Sequence, residues 1–135
     1  MLLNTNYRIY YMWIMTNKSF LSVVANRDDK HTLLVRARLE GHIEAAFPTA
    51  DVFTNEGSDY LFRAFIPRAE VAQVIAKQIE AINYDNFKNS VKNRPYHDAL
   101  LKVWTVMYTL QDKYNPFKGK SNKGLYDAKH SDTAI

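Results

Sequence analysis

The chain contains no cysteine, and it has only four glycines and four prolines among its 135 residues. The absence of cysteine excludes disulfide bonds, cysteine nucleophiles and thiolate metal sites. It also fits a reducing cytoplasm, where we expect the protein to be located. Because the four glycines are isolated, the sequence has no glycine-rich loop of the kind that binds phosphate groups.

Long hydrophobic runs are also missing. No apolar segment approaches the roughly 18–20 residues that are needed to span a bilayer, so we expect no membrane partner. Residues 1–15 are aromatic and apolar, but Arg8 interrupts them and no small-residue cleavage site follows. This pattern argues against a signal peptide.

Recognisable catalytic and metal-binding motifs are absent from the sequence. The histidines lack zinc-ligand spacing, and the serines lack the glycine-flanked turn that exposes a nucleophile. The residues concerned are His42, His97 and His130, and Ser19, Ser22 and Ser90. The sequence therefore favours a non-enzymatic protein with no cofactor, no catalytic residue and no metal site.

The composition is that of a folded protein with a substantial core. Hydrophobic residues make up 47% of the chain and aromatic residues 13%, and the formal net charge is only +4. A chain of this length fits one ordinary domain. We expect an N-terminal extension over 1–11, a single α+β domain over 12–114 and a flexible tail over 115–135. Met12 is an alternative start to Met1.

Hydrophobic periodicity predicts a mixed fold. Alternating or β-rich segments indicate four strands, over 19–26, 32–38, 50–54 and 59–66. Helices are expected over 40–47, from 67 onward, over 86–91 and over 95–114. The resulting ββαββα order predicts an α+β fold with a mainly antiparallel sheet of about four strands, helices on one face and a long C-terminal helix. A core face is expected on this last helix, formed by Leu100, Val103, Trp104, Met107 and Leu110.

Two of the predicted strands alternate arginine with apolar residues. Successive side chains of a strand point to opposite faces, so Arg36 and Arg38 share one face while Val35 and Ala37 share the other. In the last strand the same rule groups Arg63 with Leu61 and Phe65. It places the following residues on the opposite face: Tyr60, Phe62, Ala64 and Ile66.

The arginine-bearing face is the candidate binding surface. Its predicted residues are Arg36, Arg38, Arg63, Arg68, Phe20 and Phe65. Arginine and aromatic residues are enriched at protein interfaces, which makes another protein the preferred partner. The alternative is an RNA- or DNA-binding protein that contacts phosphates through arginine and stacks bases on aromatic rings. A solvated outer face is the third interpretation, and a homo-oligomer is also compatible with the sequence.

Asp28, Asp29 and His31 form a polar cluster between the first two predicted strands. Carboxylates and a histidine can bind a divalent metal, so a metal-dependent hydrolase is a further, less favoured hypothesis. Aspartate is equally typical of a hairpin turn, because it tolerates tight backbone angles, and this is the interpretation we prefer.

Several strings resemble a family of short uncharacterised bacterial proteins: MWIMTNKSFLSVV, LLVRARLEGHIEAAFP, DYLFRAFIPRAEVA, INYDNFKNSV and HDALLKVWTVMYTLQ. The resemblance covers about residues 12–111, and it implies that the ordered unit begins near Met12. It implies no known activity and transfers no catalytic residue. Members also occur in phage genomes, and a phage or mobile-element origin would make this chain an accessory or inhibitor protein.

Overall fold

A computed structural model describes residues 11–83 and 90–119 of the chain. The chain divides into two compact units, the first ending at Ile82 and the second beginning at Asn83. Within the described residues, the first unit contains a β-sheet and two helices, and the second contains one long helix. The division into an extension, a single domain and a tail stays a prediction.

The sheet of the first unit is antiparallel throughout, with the strand order β1-β2-β3-β5-β4. Its strands are β1 (Tyr11–Met15), β2 (Phe20–Ala25), β3 (Thr32–Ala37), β4 (Phe53–Thr54) and β5 (Phe62–Pro67). The predicted α+β class and antiparallel sheet are confirmed. The number of strands is five rather than about four, because the apolar segment that begins at Tyr11 is itself an edge strand.

A turn built around Thr16 explains why this additional strand forms. The backbone N–H of Thr16 donates to the carbonyl of Ser19 at 2.8 Å, and the N–H of Ser19 donates to the Thr16 hydroxyl at 3.1 Å. These bonds reverse the chain and bring β1 alongside β2, with Trp13 opposite Ser22. The pairing of this short segment with β2 was not expected from the sequence.

The core lies on one face of the sheet, beneath two helices, α1 (His42–Ala46) and α2 (Arg68–Glu80). Val23, Val35 and Ala64 lie opposite one another on adjacent strands, and all three are buried. The helices contribute to the same buried cluster through Ile43 and Val71. Alternation along each strand supplies the apolar face, and the helical stripes cover it.

The long helix α3 (Arg94–Lys113) forms the described part of the second unit. Its N-terminus is capped by Asn93, whose side-chain oxygen accepts the N–H of Tyr96 at 2.9 Å. The predicted core face of this helix is largely wrong. Leu100 is buried, but Val103, Met107 and Leu110 are exposed, while Trp104 is half-buried and stacks on Tyr108 with 5.4 Å between ring centroids.

Among the described residues, no helix is both long enough and apolar enough to cross a membrane. The predicted helix over 86–91 falls mostly outside the described residues, as does the tail from residue 120 onward.

Candidate functional site

The side of the sheet that faces away from the core carries the predicted arginines. Residues directly opposite each other on antiparallel strands point to the same face. The register therefore defines one row that crosses all five strands: Trp13, Ser22, Arg36, Arg63 and Phe53. Arg36 and Arg63 are direct neighbours in this row, with their side chains on the same face.

A second row lies beside the first and is wholly apolar and aromatic. It consists of Tyr11, Val24, Leu34 and Phe65. A third row begins with Met15 and Phe20. We call the three rows together the outer face. Four of its aromatic side chains reach solvent, with exposed fractions of 64% for Tyr11, 58% for Trp13, 52% for Phe65 and 40% for Phe53.

Tyr60 is the centre of the arginine cluster, contrary to its predicted position on the opposite face. The guanidinium carbon of Arg36 lies 4.5 Å from the centroid of the Tyr60 ring, and the guanidinium carbon of Arg38 lies 4.6 Å from the same centroid. The prediction was wrong because β5 begins at Phe62, so the alternation of the strand does not extend back to Tyr60. The ring is only 2% exposed and therefore forms a buried platform for both cations.

The guanidinium groups of Arg36 and Arg63 are engaged within the chain. A terminal nitrogen of Arg36 donates to the hydroxyl of Ser22 at 2.8 Å, and Ser22 is fully buried. The Nε of Arg63 donates to the carbonyl of Tyr60 at 3.1 Å, and a terminal nitrogen lies 3.7 Å from the carboxylate of Asp59. Both arginines thus hold the segment before β5 against the sheet.

One buried nitrogen of the arginine cluster makes no hydrogen bond among the described residues. The Nε of Arg36 is buried and has no hydrogen-bond partner within the described part of the chain. A buried donor without an acceptor is costly, so the surrounding contacts must hold Arg36 in place. The same geometry makes Arg36 poorly suited to reach outward to a phosphate.

The two predicted aromatic residues lie on the outer face in different surroundings. Phe20 packs edge-on against Trp13, with 5.9 Å between ring centroids, and against Tyr60 at 6.5 Å. Phe65 stacks on Phe53 at 5.7 Å. Two aromatic clusters therefore flank the arginines.

Arg68 does not join the cluster. It is the first residue of α2, and its Nε donates to the carbonyl of Lys30 at 2.9 Å. Its backbone N–H also donates to the carbonyl of His31 at 2.7 Å. Arg68 therefore ties α2 to the turn between β2 and β3, several residues along the sheet from the row of Arg36.

Sequence reasoning missed Tyr11, Trp13, Phe53 and Tyr60 as members of the surface or its support. A signal for the first two was present, because residues 11–15 form an uninterrupted run of large apolar and aromatic side chains, which is consistent with a short strand. A strand was predicted over 50–54, but only Phe53 and Thr54 pair with β5, and the sequence did not indicate that Phe53 lies on the outer face.

The cluster of Asp28, Asp29 and His31 serves as a turn. The carboxylate of Asp29 accepts the N–H of His31 at 2.9 Å and the hydroxyl of Thr32 at 2.5 Å. The bond from Thr32, followed by that from His31, lowers the pKa of Asp29. Within residues 11–83 and 90–119, no group of three or more histidine, aspartate or glutamate side chains could hold a metal ion.

His42 connects α1 with the beginning of β2. Its Nδ1 accepts the backbone N–H of Phe20 at 3.0 Å, so this bond is made by the neutral ring. Burial lowers the pKa of the His42 imidazole below its usual value. The residue therefore contributes to the position of Phe20 at the edge of the outer face.

Comparisons with family models, with curated proteins and with solved structures find no match to this chain. The resemblance to a bacterial family stays a prediction.

Proposed function

We propose that this chain is a non-enzymatic protein-binding module, and that the outer face is its contact surface. The observation that carries this proposal is the exposure of four aromatic side chains on one face of the sheet: Tyr11, Trp13, Phe53 and Phe65. The rings form two clusters, and the apolar side chains of Val24 and Leu34 lie between Tyr11 and Phe65 in one row. Exposed apolar and aromatic surface marks interaction sites on soluble proteins, and aromatic residues are enriched among the residues that dominate the energy of protein interfaces.

The arginines support a protein partner rather than a nucleic acid. Arg36 and Arg63 already bind groups of their own chain, so they are less free to neutralise phosphates. Arg38 is exposed at the edge of the cluster, above the ring of Tyr60. The expected partner therefore presents apolar side chains to the aromatic rows and an acceptor or carboxylate to Arg38.

The alternative is binding of single-stranded RNA or DNA, with bases stacked on the exposed rings. Stacking on aromatic side chains needs a positively charged groove along the backbone. Arg36 and Arg63, the arginines within the strands of the outer face, already bind groups of their own chain, so we rank this function second. For the compartment we propose the cytoplasm, because a chain without cysteine fits a reducing environment.

Capture of partners from nuclease-treated lysate tests the proposal when it is combined with matched surface variants. Phe65→Ser removes an exposed ring from the outer face. Ile79→Ser removes an exposed apolar side chain from α2, and it serves as the control. We expect a protein that is captured by the wild type and by Ile79→Ser but lost with Phe65→Ser.

A direct titration with nucleic acid distinguishes the alternative function from protein binding. Fluorescence anisotropy with single-stranded homopolymer RNA and DNA measures nucleic-acid binding, and a steep fall in affinity with added salt would indicate phosphate contacts. Salt-dependent binding that Phe65→Ser abolishes would favour nucleic acid over protein. Capture of the same partner in equal amounts by Phe65→Ser and Ile79→Ser would show that the outer face is not the contact surface.

A further inference from the structure

A regular apolar stripe runs along α3 and its C-terminal cap. Five large apolar residues follow one another at spacings of three, four, three and four: Leu100, Val103, Met107, Leu110 and Tyr114. We call them the α3 stripe. This spacing is that of the a and d positions of a heptad, at which two helices pair along a narrow seam.

Most of the α3 stripe is in contact with water. Val103 is 40% exposed, Met107 58%, Leu110 49% and Tyr114 69%, and Val106 beside the stripe is 65% exposed. These side chains together expose on the order of 600 Å², which approaches the roughly 800 Å² that each partner contributes to a stable interface. Within the described residues, these side chains form an apolar face on α3 that is open to water.

The residues that flank the middle of the stripe carry no charge. They are Trp104, Val106 and Gln111, while Lys102 and Asp112 lie on the opposite side of the helix. The first charge beside the stripe is Lys113, at the end of the helix, where its ammonium lies 5.3 Å from the ring centroid of Tyr114. Two identical stripes can therefore face each other without like-charge repulsion along their centre.

We propose that the α3 stripe binds the α3 stripe of a second copy of this chain, forming a twofold symmetric dimer. A twofold interface uses the same patch on both subunits, which must be complementary to itself. An uncharged seam of alternating apolar residues meets that requirement, whereas an interface that selects a different helix normally carries charged flanking residues. The proposed dimer uses residues of the second unit, whereas the outer face belongs to the first unit.

Sedimentation equilibrium over a range of concentrations tests the dimer. We expect the wild type to show twice the chain mass at high concentration and to approach 15.7 kDa on dilution. Leu110→Glu places a charge in the seam and should weaken the association at least tenfold. Thr105→Glu is the matched control, because Thr105 is exposed on the opposite side of the helix and donates its hydroxyl only to the carbonyl of Leu101.

Cross-linking provides a second measurement that does not depend on the folding of the glutamate variants. Because the chain has no cysteine, a single introduced thiol is the only one present. Met107→Cys lies in the middle of the stripe, near the twofold axis, and should form a covalent dimer on mild oxidation. Thr105→Cys should form far less.

Two results would overturn the proposal. One is a wild-type chain that remains monomeric at every concentration. The other is equal cross-linking of the cysteine at position 107 and the cysteine at position 105.

Discussion

Replacement of Tyr60 tests whether the arginine cluster stabilises the sheet unit. The ring is 2% exposed and lies against the guanidinium groups of Arg36 and Arg38, with Phe20 at its edge. Tyr60→Leu keeps an apolar side chain at the position but removes the aromatic face. Tyr60→Phe keeps the face and removes only the hydroxyl, so the pair of variants isolates the ring.

The expected loss can be estimated from the contacts. A cation–π contact contributes about 0.5–2 kcal/mol, depending on how far the cation is desolvated. An aromatic pair contributes about 0.5–1.5 kcal/mol beyond its buried area. Two cations and one aromatic neighbour therefore predict that Tyr60→Leu lowers the free energy of unfolding by about 1.5–5.5 kcal/mol. For Tyr60→Phe we expect a loss below about 1 kcal/mol.

Urea denaturation followed by tryptophan fluorescence measures the difference in stability between the two Tyr60 variants, and it can be restricted to the first unit, which contains the sheet. The chain has two tryptophans, of which Trp13 lies in β1 and Trp104 in α3. In a Trp104→Phe background the signal reports the sheet alone. Equal midpoints for Tyr60→Leu and Tyr60→Phe would refute the reasoning, because the platform would then act only through its apolar volume.

Three further changes test neighbouring features. Ser22→Ala should lower the free energy of unfolding by about 1–3 kcal/mol, because it removes the buried acceptor of the Arg36 guanidinium. In urea denaturation, a loss of stability no larger than that caused by replacing an exposed serine with alanine would contradict this. The lowered pKa of His42 means that the unfolded chain binds a proton more readily, so stability is fully present above about pH 6.5 and falls as the pH is lowered. His42→Asn, which retains an acceptor for the N–H of Phe20, should flatten this decline in thermal melts at different pH, and an unchanged pH profile would assign the decline elsewhere. Gly41 has a φ of 86°, and the space around its Cα is open. Gly41→Ala should therefore lower the free energy of unfolding by about 1 kcal/mol through backbone strain alone. An unchanged melting temperature would show that the turn changes its conformation to accept alanine.

Local patterns in the sequence were sufficient for most of the first unit. Alternation placed Val35, Ala37, Ala64 and Ile66 on one face, and all four are buried in the structure. The shared face of Arg36 and Arg63 also follows from alternation once β3 and β5 pair. These inferences rest on the period of two within a strand, which depends only on the backbone.

The residues whose positions the sequence did not predict owe those positions to contacts between segments that are distant in the chain. Tyr60 lies just outside β5, where alternation no longer applies, and its position is decided by two guanidinium groups from β3 and the residue that follows it. Phe53 reaches the outer face because a two-residue strand pairs with β5. Neither contact is encoded in the residues next to it in sequence.

For β2, β3, β5 and the three helices, the sequence by itself determined which segments form regular structure, and within β3 and β5 it determined which side chains share a face, because these properties follow from periodicities along a single segment. Only the tertiary structure decided which of those faces are covered. The apolar stripe of α3 has the spacing of a core face, yet Val103, Met107 and Leu110 remain exposed. Periodicity sets the direction of a side chain, whereas burial requires a second element to lie against it, and that depends on residues far apart in the chain.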